Sequence, residues 1–334
     1  MKKKNIAIVA GGYSSEFEVS LRSADNLYAY IDKERYNVYK VIVTKDKWVV
    51  QAPSNSLGGG ETEEIIDKNN FSFRHGHKTV TFDFAYITIH GTPGENGLLQ
   101  GYFEMLGIPY STCGVVVSAL TFNKYMCNQF LKSHGITVAD SMLFRRGQPV
   151  DPEKIIDELG LPVFVKPNEG GSSFGITKVK EASQMQAAIE KAFGEGDEVI
   201  IERFIAGVEL TCGCYQSQNE IITLPVTEVI PDNEFFDYGA KYNGEVQEIT
   251  PACISVPLTV TIQLETKEIY ELIGAKGIIR IDYIVPSGET PVLLEINTTP
   301  GMTATSFIPQ QVHAAGLNMQ DVMTEIIENN SNKC

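Results

Sequence analysis

The chain has 334 residues, of which 43% are hydrophobic, so it is globular and too long for one ordinary core; two or three domains are expected. A formal net charge of −15 argues against nucleic acid or an anionic membrane as the main partner, since both favour a basic surface. It leaves small anions such as nucleotides open, because local Lys and Arg side chains decide their binding.

The basic start Met1–Lys4 leads into Ile6–Ala10, which is too short for the apolar stretch of a signal peptide and closes on Gly11-Gly12. Five apolar residues ending in glycines read as a first buried strand. No apolar run approaches the ~18 residues of a membrane-spanning helix. The six cysteines are scattered without a CxxC pair, so a cytoplasmic location with free thiols is expected. Strands at 5–10 and 38–43 flank an amphipathic helix from Glu18 to Ile31, a βαβ unit that opens a parallel sheet. Ser14 and Ser15 lie in the first strand-to-helix turn and are suited to cap that helix. The GxGxxG of a dinucleotide fold is absent. Ligands of such sheets collect at the carboxyl ends of strands, which sets Glu16 where it can meet the amine of a small substrate. A helix-dipole partner is the alternative role for Glu16.

Residues 44–80 are polar, rich in Gly and Asn, and carry little information; His75-Gly-His77 lacks further ligands and is taken as structural. A buried strand at 84–89 ends in the loop His90–Gly97 (HGTPGENG), before a helix over Leu98–Leu106. His90, at a strand's carboxyl end in a Gly-rich loop, is either a site residue or a loop-packing one. Pro109–Gly114 marks the end of the first domain. A helix over Ser118–His134 carries Lys124, which by itself reads as solvated. The strand Leu161–Lys166 then enters a Gly/Ser loop, Lys166–Gly175 (KPNEGGSSFG). Backbone N–H groups and hydroxyls in such a loop form a nest for phosphate, with Lys166 supplying charge. It is not a Walker A, which requires GxxxxGK[ST] and a following helix. A plain hairpin loop is the alternative.

A helix at 182–193 precedes the strand Val199–Ile205, whose exposed backbone is suited to an adenine edge. The third segment begins near Ala206–Glu209, and Cys212-x-Cys214 falls on one strand face as a structural pair. The aromatic, Gly-bounded stretch 234–244 reads as a lid that excludes water. Finally, Gly277–Val285 and Pro291–Asn297 alternate polar with apolar around a Pro/Gly turn, the pattern of a hairpin. Centred between Gly288 and Glu289, it sets Asp282 opposite Glu295 and Arg280 opposite Asn297. Two carboxylates so paired are roughly 5 Å apart and call for a cation. Asp, Glu and Asn oxygens suit Mg²⁺ or Mn²⁺ leaning on substrate phosphates. An exposed face with solvated charges is the alternative.

Together these segments resemble the ATP-grasp D-alanine–D-alanine ligases of bacterial cell-wall synthesis. The resemblance runs in order through GGYSSEFEVS from Gly11, HGTPGENGLLQG from His90, KPNEGGSSFG from Lys166, FDYGAKY from Phe236, Arg280-Ile-Asp282 and EINTTPGMTATS from Glu295. It implies an α/β fold, α+β in part, of three domains: an N-terminal substrate-binding domain (1–114) and two ATP-grasp subdomains (115–205 and 206–334) with ATP between them. It implies that ATP phosphorylates one D-alanine and that the amine of a second displaces the phosphate. Asp282, Glu295 and Asn297 would hold two Mg²⁺, with Mn²⁺ possible. Lys124, Lys166, Ser173 and Lys241 would contact phosphate. Glu202, Arg203, Phe204 and Ile205 would contact adenine through backbone, and Glu209 the ribose. Glu16 and His90 would bind the first D-alanine, Ser306 and the Phe307 N–H the second. Arg280 with the Gly301 N–H would stabilise the tetrahedral oxyanion. Tyr242, bonded with Ser172 and Glu16, would close the lid. A homodimer with no membrane or nucleic-acid partner is implied as well.

Phe17, Arg203, Gly239 and Phe307 depart from the commonest pattern of the family. Lys241-Tyr242 favours the dipeptide over the D-lactate ester made by some relatives. The alternatives are an ATP-grasp ligase with D-lactate or D-serine as acceptor, and a nucleotide-binding sensor on the same scaffold.

Overall fold

The computed structural model describes residues 3–51, 64–171, 174–218, 220–231, 246–286 and 290–331. The apolar run after Met1–Lys4 forms strand β1 (Lys4–Gly11), with Ile6–Ala10 fully buried, as a parallel strand covered on both faces requires. Helix α1 (Phe17–Tyr30) buries Ser20, Ser23, Ala24 and Leu27, the i, i+3, i+4, i+7 stripe of an amphipathic helix. It returns the chain to β2 (Tyr36–Val43), parallel to β1 with Lys4 beside Tyr36.

The polar stretch that follows holds more order than its composition predicts. It contributes β3 (Trp48–Gln51) and β4 (Glu64–Ile65) to the sheet edge and a separate hairpin, β5 (Ser72–His75) with β6 (Lys78–Thr81). These strands have four residues or fewer, too few for alternation to register. Trp48, Phe71, Phe82 and Phe103 pack edge-on or tilted, with centroids 4.9–6.2 Å apart. Strand β7 (Phe84–Ile87) lies parallel to β1 on its other side. The turns after β1 and β7 therefore open on the same edge of the sheet, and Ser20 fastens them. It accepts from the Gly11 N–H at 2.9 Å and donates to Thr88 O at 2.7 Å.

Helix α2 (Leu98–Leu106) follows as expected, but the helix predicted over 118–134 is two: α3 (Val115–Phe122) and α4 (Lys124–Ser133). Asn123 is extended (φ −89°, ψ 97°) and its side chain accepts from the Met126 N–H, a cap strong enough to start a new helix. Lys124 thus stands at the first position of α4 rather than on a continuous helical face.

An antiparallel sheet is built from β8 (Ser141–Arg145), β9 (Val163–Pro167), β10 (Thr177–Val179) and β11 (Glu198–Arg203), in the order β10-β9-β11-β8. Its core lies under α5 (Pro152–Leu159) and α6 (Met185–Phe193). A third sheet, in the order β15-β14-β12-β16-β17, uses β12 (Val208–Gln216), β13 (Ile221–Thr223, paired with β12), β14 (Thr227–Pro231), β15 (Val246–Ile249), β16 (Ile278–Val285) and β17 (Val292–Asn297). Helix α7 (Val256–Leu272) covers it. Cys212 and Cys214 face this core, where burial pushes both thiols up, so they act as packing groups. The last helices, α8 (Phe307–Ala314) and α9 (Met319–Ser331), join a core shared with β1 and α1. No described helix is long and apolar enough to cross a membrane.

The β16–β17 hairpin pairs Asp282 with Glu295 and Arg280 with Asn297, the register expected from the alternation. Beyond Asp282 the register slips by one, pairing Tyr283 with Leu293. The turn residues 287–289 lie outside the described residues. Gly277 enters β16 at φ +68°, and a Cβ there would stand 1.8 Å from Ser111 O. Gly277→Ala combines a left-handed backbone with a backbone clash, so a loss on the order of 3 kcal/mol or more is expected. Chemical denaturation checks this; a loss below about 1 kcal/mol would show that the two segments separate freely.

Candidate active site

Two adjoining cavities lie along the sheet edges. The larger, of about 1010 Å³, sits between the second and third sheets; the smaller, of about 350 Å³, sits between the β1 and β7 turns and the segment after β17. Glu16, Lys124, Arg280, Glu295 and Phe307 line both. Lys166, Glu202, Arg203, Phe204, Ile205, Glu209 and Asp282 line the larger, whereas His90, Asn297, Gly301 and Ser306 line the smaller. Every described residue to which the resemblance gives a site role is therefore on one wall or the other. Ser172, Ser173, Lys241, Tyr242 and the 234–244 stretch lie outside the described residues.

The centre is the carboxylate pair on β16 and β17. Asp282 is buried, so a solvated face is ruled out. The Arg280 guanidinium forks onto Asp282, Nε to Oδ1 at 2.8 Å and Nη2 to Oδ2 at 2.7 Å, and lies 4.0 Å from Glu295. Thr211, opposite Asp282 on β12, donates to Oδ1 at 2.6 Å. Asn297 Nδ2 donates to Asp282 at 3.1 Å and to Glu295 at 3.4 Å. The cation that the pairing calls for is thus supplied in part by the protein itself. Burial works against the charge on Arg280, and Asp282 outweighs it.

On the larger cavity's wall, Lys124 Nζ donates to Gly170 O at 2.6 Å and Lys166 Nζ pairs with Glu202 at 2.5 Å. Burial pulls the Lys124 amine down, Glu295 opposes that, and Lys166 adds to it. Glu202 is held further by Asn128 at 3.1 Å. The backbone of Glu202–Ile205 is less open than the sequence predicts, because β11 is an interior strand. The Arg203 N–H donates to Asp140 O and the Phe204 N–H to Pro162 O. Ile205 lies past the last pair and lines the cavity.

In the smaller cavity, the serine caps expected for α1 do not form. The N-cap is Glu16, without a side-chain bond to the α1 backbone; Ser14 Oγ instead donates to His90 O at 2.7 Å and ties the two turns together. The Glu16 carboxylate rests against Gly171, where a Cβ would stand 2.9 Å from Oε2. His90 is buried and shifted toward its neutral form, chiefly by desolvation, with Glu16 opposing and Arg280 adding. The helix α8 begins at Ser306, its N-cap, whose side chain makes no cap bond and instead meets Thr303. The sequence reading overlooked Glu95, which faces Glu16 and Lys124 and accepts from the Gly91 N–H at 2.6 Å. A carboxylate inside the Gly-rich loop of His90 was the available signal. Thr211 carried none.

A profile of the D-ala D-ala ligase N-terminus matches residues 5–113, and one of its C-terminus matches residues 130–328. The D-alanine–D-alanine ligase of Parabacteroides distasonis is 63% identical over 98% of this chain and 97% of its own length. The chain belongs to the D-alanine–D-alanine ligase family. Among solved structures, the VanG D-Ala:D-Ser ligase of Enterococcus faecalis is similar (30% identity, TM-score 0.85, covering 98% of this chain and 99% of that one). The D-alanine–D-alanine ligase of Bacillus anthracis complexed with ATP is also similar (25% identity, TM-score 0.77, covering 99% and 98%).

Within this family member Glu95 has a pH consequence. Burial, then the charge of Glu16, push its carboxyl from 4.5 up to about 8, against the Gly91 N–H. The folded chain therefore holds this proton more tightly than the unfolded one, and the group's contribution to stability falls as pH rises from about 4.5 to about 8. Glu95→Gln keeps an acceptor for Gly91 and removes the titration. Its melting temperature, measured without ligands, should fall less than the parent's between pH 5 and 8. Parallel curves would refute the assignment.

Proposed function

We propose that this chain is an ATP-dependent ligase that joins two D-alanines into D-alanyl-D-alanine for peptidoglycan precursor synthesis. The observation that carries the reading is that a nucleotide-sized cavity and an amino-acid-sized one meet at Arg280. Such a junction suits two consecutive steps at one carboxyl group, first at its oxygen and then at its carbon. The curated relative at 63% identity supports D-alanine over D-lactate or D-serine as acceptor, and the intact Arg280–Asp282–Glu295 centre speaks against a sensor.

In this reading the backbone of Glu202–Ile205 takes adenine, and Glu209 takes the ribose. Lys124 and Lys166 exchange Gly170 O and Glu202 for phosphate oxygens, with the loop at Ser173 and the lid residue Lys241 completing the grip. Glu16 receives the ammonium of the first D-alanine beside a neutral His90. The γ-phosphoryl group passes from ATP to the carboxylate of that D-alanine, releasing ADP; transfer of this kind is mostly positioning and charge neutralisation. The second D-alanine sets its carboxylate at Ser306 and the Phe307 N–H, where the α8 N-terminus favours an anion. Its unprotonated amine attacks the acyl carbon. Arg280 and the Gly301 N–H receive the developing oxyanion, a term often worth several kcal/mol. The attacking nitrogen loses one proton, taken up by the departing phosphate, as the C–O bond to phosphate breaks and phosphate leaves with its electrons. Tyr242, with Ser172 and Glu16, keeps water out.

Asp282, Glu295 and Asn297 fit Mg²⁺. Among the described residues no three His, Cys, Asp or Glu side chains form a metal cluster, and the two carboxylates, joined by the Asn297 oxygen once that amide turns its NH2 away from them, match an ion that relies on substrate phosphates. Two such ions, or Mn²⁺ in their place, would supply charge neutralisation across the phosphates. A cytoplasmic homodimer with domains at 1–114, 115–205 and 206–334 belongs to the same reading.

The test is ADP release with ATP, Mg²⁺ and D-alanine, alongside L-alanine, D-lactate and D-serine, with products identified by mass. Turnover dependent on D-alanine and yielding the dipeptide is expected; preferential use of D-lactate or D-serine would overturn the acceptor assignment. Glu295→Ala should lower turnover by at least about 100-fold while leaving the circular dichroism unchanged. Near-parental turnover would remove Glu295 from the metal site.

A further inference from the structure

Phe307 stands over the guanidinium that joins the two cavities. The Arg280 Cζ lies 5.2 Å from the centre of the Phe307 ring, within cation–π range. The fork onto Asp282 uses the Nε hydrogen and one Nη2 hydrogen and holds one edge of the guanidinium. Two contacts along one edge still permit rocking about that edge. A ring over the face adds the missing third constraint.

The ring is itself held in place. Gln311, one helical turn on, is fully buried; it accepts from the Gly213 N–H at 2.9 Å and donates to Thr211 O and Thr227 Oγ1, each at 3.0 Å. Gly213 is the β12 residue directly opposite Arg280. A Cβ there would stand 2.6 Å from Ile308 Cδ1 and 2.7 Å from Gln311 Oε1. The helix that carries Phe307 is therefore bolted to the strand position facing Arg280, and ring and guanidinium share one frame.

We infer that Phe307 is a positioning residue whose ring, by cation–π contact, fixes the plane of Arg280 for the charge that develops during bond formation. The inference rests on the ligase reading and adds a side-chain role to a residue otherwise assigned only through its backbone N–H. It acts on the chemical step rather than on substrate affinity.

The experiment replaces Phe307 in the full chain with 4-fluoro-, 3,5-difluoro- and 3,4,5-trifluorophenylalanine, which nearly keep shape while draining charge from the ring face. The single-turnover rate of dipeptide formation at saturating substrates should fall stepwise, by about tenfold at trifluoro, the scale of a partly desolvated cation–π contact. KM for ATP should change less than about twofold. A flat rate across the series, or changes confined to KM for the second D-alanine, would reduce the ring to a pocket wall and overturn the proposal. A separate measurement needs no turnover: the Arg280 Nε–H proton should be ring-current shifted in the parent and lose that shift in Phe307→Leu. Absence of D-alanine turnover with the shift present would sink the ligase reading alone. A proton unmoved in Phe307→Leu would sink the contact whatever the activity.

Discussion

The structure depends on holding two carboxylates across one antiparallel pair. Asp282 and Glu295 are register partners, and like charges about 5 Å apart repel by roughly 3 kcal/mol where the effective dielectric is near 20. The fold does not dilute this repulsion with water, since Asp282 is buried. It surrounds it with donors instead: Arg280 from the same strand, Asn297 from the partner strand, Thr211 from the strand behind. Glu295 lies 4.0 Å from Arg280. A strand pair with this much charge at its centre must be rigid, and β16 is, being hydrogen-bonded on both sides by β12 and β17.

How much of this was legible in the sequence follows from which forces are local. The hairpin register was readable because both strands alternate and are joined by a short Pro/Gly turn, so one choice of centre fixes every pair up to the first irregularity. The slip after Asp282 was not, because a bulge is a backbone event and the apolar run Val292-Leu293-Leu294 gives no hint of it. Likewise β1, α1 and β2 declared themselves through burial patterns. The break at Asn123 did not: apolar spacing continues through it, and the decisive event is one side-chain cap. The edge strands near Trp48 and Phe71 are held by aromatic packing between distant residues, which composition alone conceals. For the site, residue types at strand ends pointed to Glu16, His90 and Lys166, whereas Thr211 and Gln311 act through cross-strand and helix-to-sheet contacts that no local pattern encodes.

An acidic chain that reads as a nucleotide binder must concentrate its few cations. Here Lys124 and Lys166 are not left to roam; each rests on an oxygen of its own protein, Gly170 O and a Glu202 carboxylate. Holding a long side chain in one place removes rotamer entropy before a ligand arrives, so less is lost on binding. Exchanging a carboxylate or a carbonyl for a phosphate oxygen keeps the charge of each ammonium satisfied throughout. The net charge of −15 therefore describes the surface, while the cavity has its own local balance.

The smaller cavity shows why the two ends of the chain cannot be separated. One wall is the pair of turns after β1 and β7; the other is the segment after β17, and they are fastened by Ser23 Oγ accepting from the Met302 N–H, 279 positions away in sequence. Asn26 donates to Met302 O, and Tyr36 and Lys4 both hold Glu328 on α9. Around these polar ties lies one apolar core built from β1, α1, α8 and α9. A cavity formed this way exists only once the last helices have docked on the first sheet. The closing of so long a loop is costly in entropy and must be repaid by burial. Contacts of this separation also slow folding. The same docking sets the α8 N-terminus, and with it Ser306 and Phe307, against Arg280. Formation of the smaller cavity and completion of the core are thus one event, which ties the cavity to a fully folded chain.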